Sequence, residues 1–372
     1  MRITASGILN AGQPRTSRAT STFPTVTALC DGSLMATYRV GSDKDSSDET
    51  VEVRRSYDLG ATWGEPVNPF GPAGSERCGS LKHVYLTPAD DTRLMACALW
   101  VDRQAYPGKP LFNSETEGCL PMAILFAESQ DGGLTWTAWR KVPVAEDVGP
   151  PSLTSPVLRL ANGELAISIE TNKHYEDARN WFQRVVYLFS RDGGCTWSAP
   201  HTVSQDPAAR IFYWDQRAAV APDGRIVTFS WTYDRKTSRY LNIQRRISCD
   251  SGRNWDSPSD LGFSDQPSRP AILPDGRIVL AWVDRYGTGS IRARLADNID
   301  AEFKSETEVT LYRLERPNTS ELGSVGDVLS DMSVWCYGLP YAEPLPNGNV
   351  LVVYYAGDTN SMDIRWAQLS TV

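Results

Sequence analysis

Three segments end an apolar run with Trp and place Asp-Arg close behind it: Leu99-Trp100-Val101-Asp102-Arg103, Ser230-Trp231-Thr232-Tyr233-Asp234-Arg235 and Ala281-Trp282-Val283-Asp284-Arg285. This set has the chemistry of sugar recognition, since aromatic faces stack on sugar C–H faces while carboxylate and guanidinium groups bond hydroxyls. The same residues also suit packing, with Trp between layers and Asp-Arg as a rim ion pair contributing under about 1 kcal/mol. Carboxyls able to move protons gather in Asp43, Asp45, Asp48 and Glu49, after the apolar run that ends at Tyr38-Arg39. A solvated acidic loop is the alternative there. Glu170 closes Ala166-Ile167-Ser168-Ile169-Glu170, and His83 and His174 are secondary candidates. With three His in the chain and no CxxC or His/Cys cluster, neither a metal nor a cofactor is expected.

The chain has 372 residues, 41% apolar, 22% charged and 10% aromatic, with twelve Trp and a net charge of −8. An acidic average of this kind argues against a nucleic-acid or anionic-membrane partner, either of which wants a basic stripe. No apolar run approaches the length that spans a bilayer. Met1-Arg2-Ile3-Thr4-Ala5-Ser6-Gly7 holds no signal-peptide core. Seven scattered Cys point to a reduced, cytoplasmic protein, or to a secreted one whose leader has been removed.

A repeat positions the chemistry. Ser56-Tyr57-Asp58-Leu59-Gly60-Ala61-Thr62-Trp63 recurs in the segments beginning at Ser129, Ser190 and Ser248, with the shared form S-x-D-x-G-x-[TN]-W. Asp can accept nearby backbone N–H groups, Gly supplies a conformation other residues resist, and Trp packs inward. A second element is an apolar strand, an Asp-Gly or Asn-Gly turn and another apolar strand, at Asp31-Gly32, Asn162-Gly163, Asp223-Gly224, Asp275-Gly276 and Asn347-Gly348, and more loosely at Asp90-Asp91. The first motif is the Asp-box, and in it the chain resembles the sialidase superfamily. Six hairpin turns and this resemblance predict an all-β, six-bladed β-propeller of four-stranded antiparallel sheets, one domain over residues 1–372. Asp297-Asn298-Ile299-Asp300 reads as a degenerate box, and Arg2-Ile3-Thr4 as the strand that closes the ring. The resemblance places the boxes on the edge away from the active site.

The resemblance also implies a site. Sialidases use a Tyr nucleophile, a carboxylate that activates it, an Asp acid/base and three Arg that grip the substrate carboxylate. Counted from Arg54-Arg55, the acid/base falls on Asp45, with Asp43 and Asp48 as rivals. Counted from Asn347-Gly348, the nucleophile falls on Tyr337, with Tyr341 as a rival, and Ile226-Val227-Thr228 places its partner at Asp215. The arginine set departs from the family, because Thr22-Phe23-Pro24 stands where sialidases carry Phe-Arg-Ile-Pro. Arg39, Arg217, Arg269, Arg285, Glu170, Trp231 and Trp282 are the candidate substrate contacts, with Arg15, Arg18 and Arg235 as further routes. The implied function is an exo-acting, retaining glycoside hydrolase, on a sialoside or a different sugar. A non-catalytic carbohydrate-binding propeller is the alternative, and a protein-interaction scaffold a third reading. Carbohydrate is the partner expected; nucleic acid and membrane are not.

Overall fold

Continuous apolar runs of strand length, such as Leu34–Gly41 and Leu94–Val101, are buried at every position. Both faces of these strands are covered, as stacking of sheet on sheet requires. The computed structural model describes residues 1–70, 79–315 and 324–372. Consecutive strands pair antiparallel, as in the sheet ordered Ser80–Pro88, Leu94–Val101, Met122–Ser129 and Arg140–Lys141. The whole is an all-β propeller of such meanders.

Six separate sheets are not what the pairing gives. The described strands form five, one of them seven-stranded, because the parallel pair Thr20↔Met362 joins the first unit to the last. The N-terminal strand Arg2–Asn10 adds itself antiparallel to Met362–Ser370, so both chain ends lie in that sheet. This is the closure expected of Arg2-Ile3-Thr4, and it covers an edge that would otherwise be open.

The four repeated turns share one geometry. In the second, Gly133 N–H donates to Ser129 Oγ at 2.8 Å, Thr135 N–H to Asp131 Oδ1 at 2.9 Å, and Ser129 Oγ–H to Asp131 at 2.8 Å. The same bonds recur at Asp58, Asp192 and Asp250. These aspartates are occupied in holding hairpins. The glycines of these turns are constrained twice over: Gly194 has φ +87°, and a Cβ there would lie 2.7 Å from the Phe126 ring. Gly194→Ala is therefore expected to cost roughly 1–2 kcal/mol for the left-handed backbone and about 1–3 kcal/mol for overpacking, read as a lower thermal midpoint. At Asp297–Asp300 the turn is held instead by Asn298 Oδ1, which accepts from the amides of Asp300 and Ala301.

The register Leu34↔Ser56 and Val40↔Thr50 puts the first repeated turn at one end of its sheet and the loop after Gly41 at the other. Above that second end lies the short helix Val325–Asp331, capped by Ser324. Its Val325, Val328 and Leu329 pack on Trp181, Phe212, Trp214, Trp231 and Trp335. Among the described residues no helix is long and apolar enough to cross a membrane. Cys30, Cys97, Cys119, Cys195, Cys249 and Cys336 are free thiols; Cys78 lies outside the described residues.

Candidate active site

Inner strands of the propeller share a defect that aims side chains at the axis. Register shifts interrupt Thr20–Ala28 between Thr22 and Thr25, Ser80–Pro88 between Leu81 and His83, Ile211–Val220 between Trp214 and Arg217, and Tyr337–Pro344 between Gly338 and Tyr341. A β-bulge adds a residue that the partner strand does not match, and so redirects a side chain. The residues inserted are Phe23, Lys82, Asp215 and Leu339, three of them with φ between +46° and +51°. All four line one cavity of about 250 Å³.

Around them stand Lys44 and Asp45 from the loop after Leu34–Gly41, Gln266, Arg285, Tyr355, Trp335, and Leu111 and Phe112 with the end of the helix. A larger cavity of about 670 Å³ lies at the repeated-turn end, lined by Tyr57, Trp63, Leu134 and Asp58. Its Asp58 is committed to the turn. The smaller cavity is the one that gathers charged side chains with the bulge residues.

Asp45 accepts from Lys82 Nζ at 2.9 Å, from Arg103, and from Leu111 N–H at 2.7 Å. Burial opposes its ionisation, but Lys82 and Arg103 outweigh burial and hold the carboxyl below its ordinary value. Behind it, Glu49 is buried with Arg39, Lys82 and Arg103 around it. Burial again resists, and the three cations bring Glu49 down to about 2. Lys44 has no carboxylate partner among the described ion pairs. Its Nζ donates to the Met332 and Trp335 carbonyls at 2.5 and 2.9 Å, tying the segment after the helix over the cavity. Burial, then Arg285, Arg39 and Lys82, push its ammonium well below its ordinary value.

Across the cavity, Asp215 accepts from Arg217 at 3.1 Å and from Gln266 Nε2. Arg217 also donates to Tyr85 Oη at 2.6 Å and to the Thr154 carbonyl, which ties neighbouring sheets together. Glu170 sits behind the bulge and accepts the Gln216 N–H at 3.0 Å.

The structure thus brings Asp45, Asp215 and Arg285 together in one cavity wall and leaves the other expected residues outside it. Asp43 and Asp48 turn into their own loop, through Lys44 N–H and Ser42. Tyr337 packs among Val283, Ile291, Tyr354 and Tyr312 and does not line the cavity. Tyr341 lies beneath, stacked on Tyr85 and beside His83, Arg217 and Leu339. Arg39 is fully buried between Glu49, Thr22 and the Lys44 carbonyl. Arg269 pairs with Glu343, Arg18 with Glu52 and Arg235 with Glu117, while Arg15 and His174 are exposed. Arg285 is held by Asp265 and Gln266 and stacks 3.8 Å over Trp335.

Trp231 and Trp282 are 1% and 0% exposed, so neither offers a face to a sugar. Trp231 is stacked on Tyr240, and Trp282 lies against Phe263. The Asp-Arg pairs do not bridge internally either. Asp102 and Asp284 cap their own loops, and Arg103 and Arg285 reach other carboxylates. Sequence reasoning missed Phe23, Lys44, Lys82, Gln266, Leu339, Trp335 and Tyr355. Tyr355 is the phenol in the cavity wall, and burial pushes it up to about 12.

No known family model matches the chain. A curated sialidase from Micromonospora viridifaciens is 25% identical over 264 residues, covering 68% of this chain. The alignment covers 38% of that relative's own length. An intramolecular trans-sialidase from Ruminococcus gnavus, solved with oseltamivir carboxylate, superposes with TM-score 0.66 at 15% identity over 100% of this chain and 98% of its own. The fold is the sialidase-type β-propeller. A Dyadobacter fermentans protein of unknown function shares this propeller with TM-score 0.72 and 19% identity, covering 99% of this chain and 100% of its own. So does an α-L-arabinanase from Penicillium chrysogenum bound to arabinobiose, with TM-score 0.63 and 15% identity over both full chains.

Proposed function

We propose that this propeller is an exo-acting glycoside hydrolase whose working carboxyls are Asp45 and Asp215. The observation that carries the reading is that two carboxyls far apart in sequence enter one axial cavity from separate sheets. Paired carboxyls flanking the scissile bond are what most glycosidases use. A cavity of about 250 Å³ is at the small end for a ligand site and suits one terminal sugar residue. We read the seven-stranded sheet as two blades joined at Thr20–Met362, which makes six blades in all. The arabinobiose bound by the arabinanase and the oseltamivir carboxylate bound by the trans-sialidase support a carbohydrate-like ligand here.

A covalent route through Tyr337 has no support in the geometry, since that phenol is packed away from the cavity. Among the described residues the family's arginine grip is likewise not assembled: Phe23 and Leu339 occupy bulge positions, and the cations facing the cavity are Lys44, Lys82 and Arg285. An acidic sugar suits this wall, although its grip differs from an arginine triad. A second reading, sugar binding without turnover, draws on Asp45, whose carboxylate is engaged by three donors.

A panel of aryl glycosides, including a sialoside, a rhamnoside, a uronide and an arabinoside, separates the readings. The expected result is turnover of one of them, lost in Asp45→Ala. Binding of a sugar with no product from any glycoside would favour the second reading, and wild-type rates in Asp45→Ala would remove Asp45 from the mechanism.

A further inference from the structure

We propose that Glu170 is the positioning residue of Asp215: its carboxyl accepts the backbone amide of Gln216, next to Asp215, and fixes the bulge that aims Asp215 into the cavity. The inference rests on Asp215 being a working carboxyl, as argued above.

Asp215 has φ +47°, a conformation non-glycine residues adopt only when their surroundings impose it. The surroundings are visible. Gln216 N–H donates to Glu170 Oε1 at 3.0 Å, and the Asp215 amide also faces that carboxyl. The Gln216 side chain is buried between Ser204 and Ser230, the Gln216 backbone carbonyl accepts from Ser155 Oγ–H, and the same Ser155 hydroxyl accepts from Ala218 N–H. Glu170 thus pins the peptide that follows Asp215 within the bulge.

Glu170 is nonetheless buried with no ion pair among the described residues. The charged and titratable groups facing it are Asp215 and Arg217 on Ile211–Val220 and Tyr85 on Ser80–Pro88. Burial, then the Asp215 charge, raise its carboxyl well above its ordinary value, against the pull of the amides and Arg217. A neutral acid keeps an acceptor oxygen for the amides without placing a second negative charge behind Asp215. The sequence marked Glu170 as a substrate contact; its place behind the bulge gives it a role exerted through Asp215.

The sign of the pH effect follows from the raised value. The favourable neutral state is fully present below the ordinary value of 4.5, and its contribution is lost as pH rises through the folded value. Gln keeps the acceptor oxygen and cannot ionise, whereas Ala removes the acceptor.

The test compares Glu170→Gln and Glu170→Ala with the wild-type chain in two ways. Thermal midpoints across pH 4 to 9 need no substrate: Glu170→Gln is expected to gain on wild type as pH rises, and parallel curves would overturn the neutral acid. With the glycoside found in the panel, Glu170→Gln is expected to keep kcat, with its alkaline limb moved up. Glu170→Ala is expected to lose about 10²-fold in kcat, as a misplaced catalytic group does, with KM little changed. A Glu170→Ala crystal structure with Asp215 unmoved would overturn the positioning role even if no glycoside is ever hydrolysed. Failure of the panel alone would remove the hydrolase reading and leave the midpoint and crystallographic results standing.

Discussion

Replacing Asp215 by Asn is expected to lower kcat on the accepted glycoside by about 10²–10⁴-fold, the range of a lost acid or base. The substitution preserves shape and removes the ability to exchange a proton, together with the negative charge and one acceptor oxygen. Arg217 and Gln266 both donate to the carboxylate, so one amide N–H of Asn must face a donor. Some loss of stability accompanies the change, and steady-state kinetics are to be paired with a thermal midpoint to separate the two. KM is expected to move little, because the sugar also rests on Trp335, Leu339 and Phe23 in the cavity wall. Wild-type kcat in a folded Asp215→Asn protein would leave the second carboxyl without a role.

Arg39→Met is expected to be the most destabilising single change at the site. Arg39 and Glu49 are both fully buried and paired, and removing one partner of such a pair costs about 3–5 kcal/mol. The lower end applies, since Lys82 and Arg103 still face Glu49 at 3.5 and 3.0 Å. The pair also predicts an acid limb. Glu49 is depressed from 4.5 to about 2, so its stabilisation is present above pH 4.5 and is lost as pH falls toward 2. Among urea midpoints at pH 7, 5 and 3, the steep fall is expected between pH 5 and 3 for wild type, and a smaller one for Arg39→Met. Parallel curves would mean that the Arg39–Glu49 pair is not what ionisation stabilises.

The propeller was legible because its turns are local. A Ser, an Asp and a Gly within five residues satisfy one another, so the four repeated segments declare their hairpins without reference to the rest of the chain. The joining of the first and last units into one sheet was not legible, because it rests on one long-range pair, Thr20↔Met362. The same division runs through the site. Asp45 and Asp215 could be placed by counting from turns. Tyr337 could not, because the bulge between Gly338 and Tyr341 inserts Leu339 and changes which side chains face the axis. Counting back from Asn347-Gly348 to Tyr337 crosses this bulge, and a one-residue slip moves a side chain to the other face. Phe23 and Lys82 were hidden by the same device. Trp231 and Trp282 read as rim aromatics from their strand ends, but Tyr240 of the short strand Arg239–Tyr240 and the loop residue Phe263 cover them. Lys44 escaped notice because its partners are the carbonyls of Met332 and Trp335, nearly the whole chain away.

Crystals of Asp215→Asn grown with the glycoside that the wild-type protein hydrolyses address the central claim most directly. The account predicts an intact terminal sugar in the axial cavity, between Asp45 and residue 215 and against Trp335, with its leaving group toward solvent. A sugar seated instead in the wider groove beside Tyr57, Trp63 and Leu134, with the axial cavity untouched, would contradict it.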